Sequence, residues 1–402
     1  MDKFLEKTSF KGNYEIDICG SKSESNRLLI LKKLYPKINI ENLSTSDDTV
    51  VLNKALQSEE NIIDVHHAGT AMRFLTAYFS CFTQAPVTLT GSERMQNRPI
   101  SLLVQALRDL GATIEYLKKE GYPPLKIFPS VINKSEVGLQ ANVSSQYISA
   151  LMLIAPKLKH GLKINLDSEI TSLPYLKMTE KLMLDLGFQV KFEDNSIIIK
   201  PKPIFNSQSF HVESDWSSAS YFYSMVALNS DLRLTLKTFK EESLQGDSAL
   251  SKLYEPLGVK TTFCHDYILL ENKNEVESSI YSKNLNNNPD LAQTIVVTCL
   301  GLGKSCRLEG LHTLKIKETD RLEALKTEIE KLGAEVNIGN DWLEMKPTGK
   351  IRANQTIGTY NDHRMAMAFA PLCSVTSLSI KNPEVVTKSY PAFWKDLERL
   401  LK

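Results

Sequence analysis

Residues Arg321–Met345 read RLEALKTEIEKLGAEVNIGNDWLEM. Leu322, Leu325, Ile329 and Leu332 fall at helical spacing, and Gly333 stops the stripe. Val336–Met345 then alternates around the polar turn Gly339-Asn340-Asp341, which predicts a β-hairpin. The same phrase recurs upstream. Leu102-Leu103-Ala106-Leu107-Leu110 ends at Gly111, Met178-Leu182-Leu186 at Gly187, and Leu250-Leu253-Tyr254-Leu257 at Gly258. Val190–Lys200, around Glu193-Asp194-Asn195, supplies another hairpin. The four glycines are separated by 76, 71 and 75 residues, the mark of an internal repeat.

A second series interleaves with the first. Strongly apolar helices are expected to begin at Ser25, Gly69, Ser144, Ser217, Asp290 and Asp362, with steps of 75, 73, 73 and 72 from Gly69 onward. Each repeat therefore holds one helix that is apolar nearly all round, one amphipathic helix and several strands. The apolar helices should be buried, with the amphipathic helices and the sheets packed around them. The first unit is abbreviated, because Asp48–Ser58 supplies a helix but no Leu-Gly-hairpin tail follows. About six α/β units result.

Composition narrows the class. Of 402 residues 42% are hydrophobic, ample for buried cores in two or more domains. Lys+Arg (48) and Asp+Glu (47) balance, so no global field favours nucleic acid or membrane. Met1–Lys11 is charged and lacks an apolar signal region, and the run around Leu291–Leu302 is too short to span a bilayer. Cys19, Cys81, Cys264, Cys299, Cys306 and Cys373 are scattered, with no CxxC pair and no histidine at metal-ligand spacing. They read as buried free thiols of a cytoplasmic protein, and no metal is expected.

Unusual polar residues gather at the starts of the apolar helices, where unpaired backbone N–H groups favour anions. Gly20–Arg27 (GSKSESNR) offers Lys22 as a point charge and Arg27 as a planar fork. Taken alone it reads equally as a serine-capped surface helix. His66–Arg73 contains Gly69, which lets an anion approach the backbone, and Thr70, which can cap. Arg94–Pro99 is a loop with two arginines, and Ser144-Ser145-Gln146 is either a phosphate cradle or a plain cap. Asp290 reads as an N-cap or as a general base at a buried helix end. Lys317 and Arg321, four apart, are expected to share a face beside Glu318. Asp362-His363-Arg364 opens a buried helix, where charges need partners. Lys388 precedes the C-terminal helix. If the helices run parallel, their positive ends converge on one anion site.

Together, Gly20–Arg27, Ala68–Arg73 (AGTAMR), Arg94–Pro99 (RMQNRP), Ser144–Gln146 (SSQ), Lys317–Arg321 (KETDR), Asp362–Met367 (DHRMAM) and Lys388–Pro391 (KSYP) occur in the order of a known family. Over essentially the whole chain the sequence resembles the EPSP synthases, the 3-phosphoshikimate 1-carboxyvinyltransferases of the shikimate pathway. The resemblance implies an α/β, two-lobed enolpyruvyltransferase fold of about six βαβαββ units, three per lobe, whose helices face an interlobe cleft. One lobe would hold residues 1–19 and 213–402, and the other 20–212. It implies transfer of the enolpyruvyl group of phosphoenolpyruvate to the 5-hydroxyl of shikimate 3-phosphate, without cofactor or metal, in a cytoplasmic monomer whose partners are these small molecules.

By motif, Lys22, Ser23, Arg27, Ser144, Ser145, Gln146, Ser172, Asp290, Thr313 and Lys317 would hold shikimate 3-phosphate. Lys22, Gly69, Arg94, Gln146, Arg321, Arg364 and Lys388 would hold phosphoenolpyruvate. Asp290 would accept the hydroxyl proton, Glu318 would protonate the methylene carbon, and Lys22 would join them in catalysis. Two phosphates and two carboxylates carry roughly five to six negative charges. Lys22, Arg27, Arg94, Lys317, Arg321, Arg364 and Lys388 match that load.

The chain departs from the family's usual residues at His67 (commonly Asn), Phe74 (often Pro), Thr313 (commonly Asn) and the bulky Trp216. These bear on affinity and inhibitor sensitivity rather than on the reaction. The sister enzymes acting on UDP-N-acetylglucosamine typically place a cysteine after the arginine-rich segment, and Arg94–Pro129 has none. A nucleic-acid-binding repeat protein would want a basic face with aromatics. A non-catalytic phosphometabolite sensor would not need intact Asp290, Glu318 and Lys22.

Overall fold

Each Leu-Gly stop ends its helix because a left-handed residue there redirects the chain at little steric cost only when it is glycine. Gly111, at φ +115°, closes the Ser101–Leu110 helix by donating its N–H to the Arg108 carbonyl at 2.9 Å, and Gly333, at φ +94°, ends Arg321–Lys331 by donating to the Glu330 carbonyl. The computed structural model describes residues 2–140, 144–167, 173–276 and 280–400. It resolves into two compact units, residues 1–19 with 213–402, and residues 20–212.

In the unit of residues 20–212, strand Ile62–Asp64 leads through the Gly69–Phe82 helix to a parallel partner, Val87–Thr90. An amphipathic helix, Ser101–Leu110, then delivers the hairpin Thr113–Tyr116 and Leu125–Phe128, which joins the same sheet antiparallel. Glu136–Leu139, the Ser145–Ile154 helix, Leu162–Leu166, the Leu173–Asp185 helix and the hairpin Val190–Glu193 with Ser196–Ile199 repeat this order. A two-stranded parallel sheet, Ile38–Glu41 with Gln208–His211, is the abbreviated third member.

The other unit uses the same plan. Gly12–Ile16 pairs parallel with Leu232–Lys237 across the Trp216–Leu228 helix, and Tyr281–Asn284 pairs parallel with Cys306–Glu309 across the Ala292–Gly301 helix. Each pair takes an antiparallel hairpin, and Lys3–Leu5, Leu378–Ile380 and Gln355–Ile357 form the short third sheet. Six sheets across the described residues account for the six repeats.

The strands alternate as a half-buried pleat must. Leu232, Leu234 and Leu236 point inward while Arg233 and Lys237 do not. The helices between them have no solvent face: Tyr221, Phe222, Tyr223, Met225 and Val226 are all buried. Hydroxyls tie these helices together, with Thr298 Oγ1 donating to Ser224 Oγ at 2.8 Å and Ser220 Oγ lying 3.1 Å from Thr294 Oγ1.

Several expectations are corrected. The first buried helix starts at Lys22, not Ser25, because Ser21 is the cap and its Oγ accepts from the Glu24 N–H. Leu250–Leu257 is not one α-helix but a four-residue turn of α-helix between two 3-10 turns, since Pro256 lacks the N–H an α-helix requires. Only Cys299, Cys306 and Cys373 are buried, whereas Cys19, Cys81 and Cys264 are partly exposed, and none of the six is in a disulfide. Among the described residues no helix is long and apolar enough to cross a membrane.

Candidate active site

The unit of residues 20–212 places most of its candidates at three helix starts. Lys22 opens the Lys22–Leu34 helix and pairs with Asp48 at 3.4 Å. Ser23, partly buried, gives its carbonyl to Arg27 Nη1 at 2.8 Å. Arg27 is 2% exposed and all three of its guanidinium nitrogens are engaged: Nε donates to Thr179 at 2.7 Å, and Nη2 to Ser149 at 3.2 Å and to the Tyr175 carbonyl. Burial draws its pKa down to about 10. The departure at position 74 has a use here, since the Phe74 ring lies 5.7 Å from that guanidinium.

Ser144 caps the Ser145–Ile154 helix, its Oγ accepting from the Gln146 N–H, and Ser145 is buried. Gln146 Nε2 donates to Thr70 Oγ1 at 3.3 Å, so the first turns of the Gly69 and Ser145 helices meet. Thr70 is therefore not a cap but a first-turn residue, and Ala68, without a side-chain cap, precedes Gly69. Arg94 stands exposed on the short Glu93–Gln96 helix. Ser172 lies outside the described residues.

Two arginines escaped assignment although both stand in the motifs. A Cβ on Gly69 would lie 2.6 Å from Arg98 Nη1 and 2.9 Å from Arg73 Nη1. Both guanidinium groups therefore press against the glycine backbone.

The other unit gathers four cations and three carboxylates. Asp290 receives Arg321 Nη1 at 2.9 Å, Arg364 Nη2 at 3.0 Å and Lys317 Nζ at 3.6 Å. It is not the N-cap that the sequence also allowed: it sits in the 3-10 turn Pro289–Leu291, ahead of a helix that begins at Ala292. Burial alone would raise its pKa, but Arg364, Lys317 and Arg321 outweigh it and hold the carboxyl well below its usual range. Glu318 receives Lys388 Nζ at 2.7 Å and Arg321 Nη2 at 2.9 Å.

Arg321 is the hub. It also donates from Nε to Asp362 at 2.6 Å, and Asp362 in turn caps the His363–Phe369 helix through the Arg364 N–H. Its three carboxylate partners overcome burial and raise its pKa. Lys317 and Arg321 do meet on Asp290, but not as neighbours on a helix, because Lys317 precedes the helix cap Asp320. Thr313 Oγ1 is buried without a hydrogen-bond partner among the described residues.

Three further groups were missed. Asp362 lies in a quoted motif, but Asp247 and Ser217 touch the cluster only through tertiary packing. Ser217 Oγ donates to Asp247 Oδ2 and lies 3.4 Å from Arg364 Nη2. Trp216, the bulky departure, is fully buried, and its indole N–H donates to Glu213 at 2.8 Å. Among the described residues no three His, Cys, Asp or Glu side chains are grouped to hold a metal.

Ionised carboxylates held among lysines and arginines suit anionic substrates and acid–base chemistry. With six repeats built on buried helices, the fold is that of the enolpyruvyltransferases. A family model for EPSP synthase (3-phosphoshikimate 1-carboxyvinyltransferase) matches residues 50–397. A 3-phosphoshikimate 1-carboxyvinyltransferase of Bacteroides fragilis is 47% identical over 389 residues, spanning 96% of this chain and 94% of that one. One from Histophilus somni is 35% identical over 422 residues, with 96% of each covered. The solved EPSP synthase of Acinetobacter baumannii superposes with a TM-score of 0.79 at 18% identity over 99% of this chain and 97% of that one, a likeness of fold. This chain belongs to the EPSP synthase family.

Proposed function

We propose that the chain performs the family's reaction through the two groups of residues described above. That reaction moves the enolpyruvyl group of phosphoenolpyruvate to the 5-hydroxyl of shikimate 3-phosphate and releases phosphate, a step of aromatic amino-acid biosynthesis. In this reading Lys22, Ser23, Arg27, Ser144, Ser145, Gln146, Ser172, Asp290, Thr313 and Lys317 hold shikimate 3-phosphate. Lys22, Gly69, Arg94, Gln146, Arg321, Arg364 and Lys388 hold phosphoenolpyruvate. The enzyme works as a cytoplasmic monomer on these small molecules, with no nucleic acid or membrane.

The observation that carries the reading is the convergence of Lys317, Arg321 and Arg364 on Asp290. A carboxylate so strongly held in its ionised form is a weak base. Anionic substrate competes for the same cations, and each cation drawn away makes Asp290 more basic. Asp290 then takes the proton of the attacking 5-hydroxyl. Lys388 and Arg321 shift likewise from Glu318 to the anion, freeing its oxygens to carry a proton to the methylene carbon. The tetrahedral adduct then loses phosphate as the new methyl group returns a proton to the ionised Glu318 and the double bond re-forms, while the proton held by Asp290 leaves with the phosphate. Lys22 supplies positive charge where the phosphate develops its negative charge.

The test is phosphate release from phosphoenolpyruvate with shikimate 3-phosphate, with UDP-N-acetylglucosamine, or with no acceptor. Release is expected with the first alone. Asp290→Asn, which keeps the shape, is expected to lower kcat by about 10²–10⁴-fold. Release with the sugar nucleotide would assign the sister reaction, and an unimpaired variant would remove Asp290 from the mechanism.

A further inference from the structure

Asp247 is a buried carboxylate beside the reacting groups, and the assignments above give it no role. It lies in the 3-10 turn Gly246–Ala249 and is 5% exposed. Among the described residues both of its hydrogen-bond donors are neutral. Ser217 Oγ donates to Oδ2, and Asn288 Nδ2 to Oδ1 at 3.3 Å. Asn288 also donates to the Gly246 carbonyl at 2.8 Å, two residues before Asp290, so the turns carrying the two aspartates are tied together. A buried charge held by neutral donors is costly, and the cation that offsets it stands one hydroxyl away.

That cation is Arg364. Its Nη2 reaches Asp290 Oδ2 at 3.0 Å and Ser217 Oγ at 3.4 Å, and its Nη1 reaches the Asp290 carbonyl at 3.2 Å. A serine hydroxyl has one proton and two lone pairs. With the proton committed to Asp247, a lone pair of Ser217 is aimed at the guanidinium. Removing the carboxylate frees the hydroxyl to rotate and to present its proton instead, which repels the cation.

We propose that Asp247 is a positioning residue that, through Ser217, holds the Arg364 guanidinium ready for phosphoenolpyruvate. It matters most when substrate draws Arg364 off the Asp290 carboxylate, or when Asp290 has taken the hydroxyl proton and no longer holds the cation by charge. Ser217 Oγ and the Asp290 carbonyl then remain as acceptors. This inference rests on the reading that Arg364 binds phosphoenolpyruvate.

The test compares wild type, Arg364→Lys, Asp247→Asn, Ser217→Ala and the double variant in steady-state turnover, alongside shikimate 3-phosphate binding without phosphoenolpyruvate and thermal unfolding. Arg364→Lys must raise KM for phosphoenolpyruvate. If it does not, the site assignment fails first and takes this inference with it. Given that rise, Asp247→Asn and Ser217→Ala should each raise the same KM about tenfold, the loss of roughly one hydrogen bond to a charged group. Affinity for shikimate 3-phosphate should hold, and the double variant should be no worse than the singles. An unchanged KM overturns the inference. So does a lower one, which removal of a negative charge beside an anion site would produce by itself. Equal losses for both substrates with lowered unfolding temperature also overturn it, by making Asp247 merely structural. Should Asp247→Asn not fold, Ser217→Ala decides alone.

Discussion

At the scale of single residues, the chemistry depends on where guanidinium groups are allowed to rest. Arg321 is committed to three carboxylates, while Arg98 and Arg73 crowd the backbone at Gly69. Gly69→Ala would place a methyl 2.6 Å from Arg98 Nη1, so the guanidinium must move, and as the end of a flexible chain it can do so without unfolding the helix. The expected outcome is a KM for phosphoenolpyruvate raised about tenfold, with kcat and unfolding temperature little changed. Steady-state kinetics and a thermal scan check it. The need for glycine here was legible in the AGTAMR motif, but the arginines that impose it were not. Arg98 lies 29 residues downstream, and only the meeting of two segments brings it to Gly69.

At the scale of elements, the repeat is enforced by its stops. Gly111 combines φ +115° with the Val131 carbonyl 2.9 Å from where a Cβ would stand. Gly111→Ala is expected to destabilise the protein by roughly 1–3 kcal/mol, visible as a lower urea midpoint with kinetics preserved. Periodicity located these helices because a 3.6-residue stripe is a local property. It misread Leu250–Leu257, where the stripe persists but Pro256 denies the α-helical bond. It also misplaced the first helix start, because GSKSESNR offers several serines that could cap, and only the fold selects Ser21 and buries Glu24, Ser25, Asn26 and Arg27 inside the helix.

At the scale of the whole molecule, two aspartates make stability respond to pH in opposite senses. Asp290, its carboxyl held low, adds stability that is present above about pH 4 and lost as pH falls through its folded value. Asp247 is pushed up to about 6 by burial first and the Asp290 charge second. Between about pH 4 and about pH 6 its folded form binds the proton that the unfolded chain has released, so stability falls as pH rises through that window. The unfolding temperature of Asp247→Asn relative to wild type should therefore climb from pH 4.5 to 6.5, by the equivalent of about 1 kcal/mol per pH unit at most. Thermal scans across that range test it, and a flat difference would mean that Asp247 is better solvated than its burial indicates.

The sequence by itself determined the repeated α/β architecture, the six buried helices and the family, because periodicity, glycine stops and short motifs are written in local order. Its motifs also carried Asp290, Lys317, Glu318, Arg321, Arg364 and Lys388, which the fold brings into contact. Tertiary structure alone decided their partners. Asp290 proved to be a shared acceptor for three cations rather than a helix cap, and Arg27 proved to be locked between Ser149 and Thr179. Asp247 joined the site through one hydroxyl. The reason is physical: a carboxylate's proton affinity and a guanidinium's orientation are set by whatever lies within a few ångströms, and the residues that do so here are tens of positions apart in the chain.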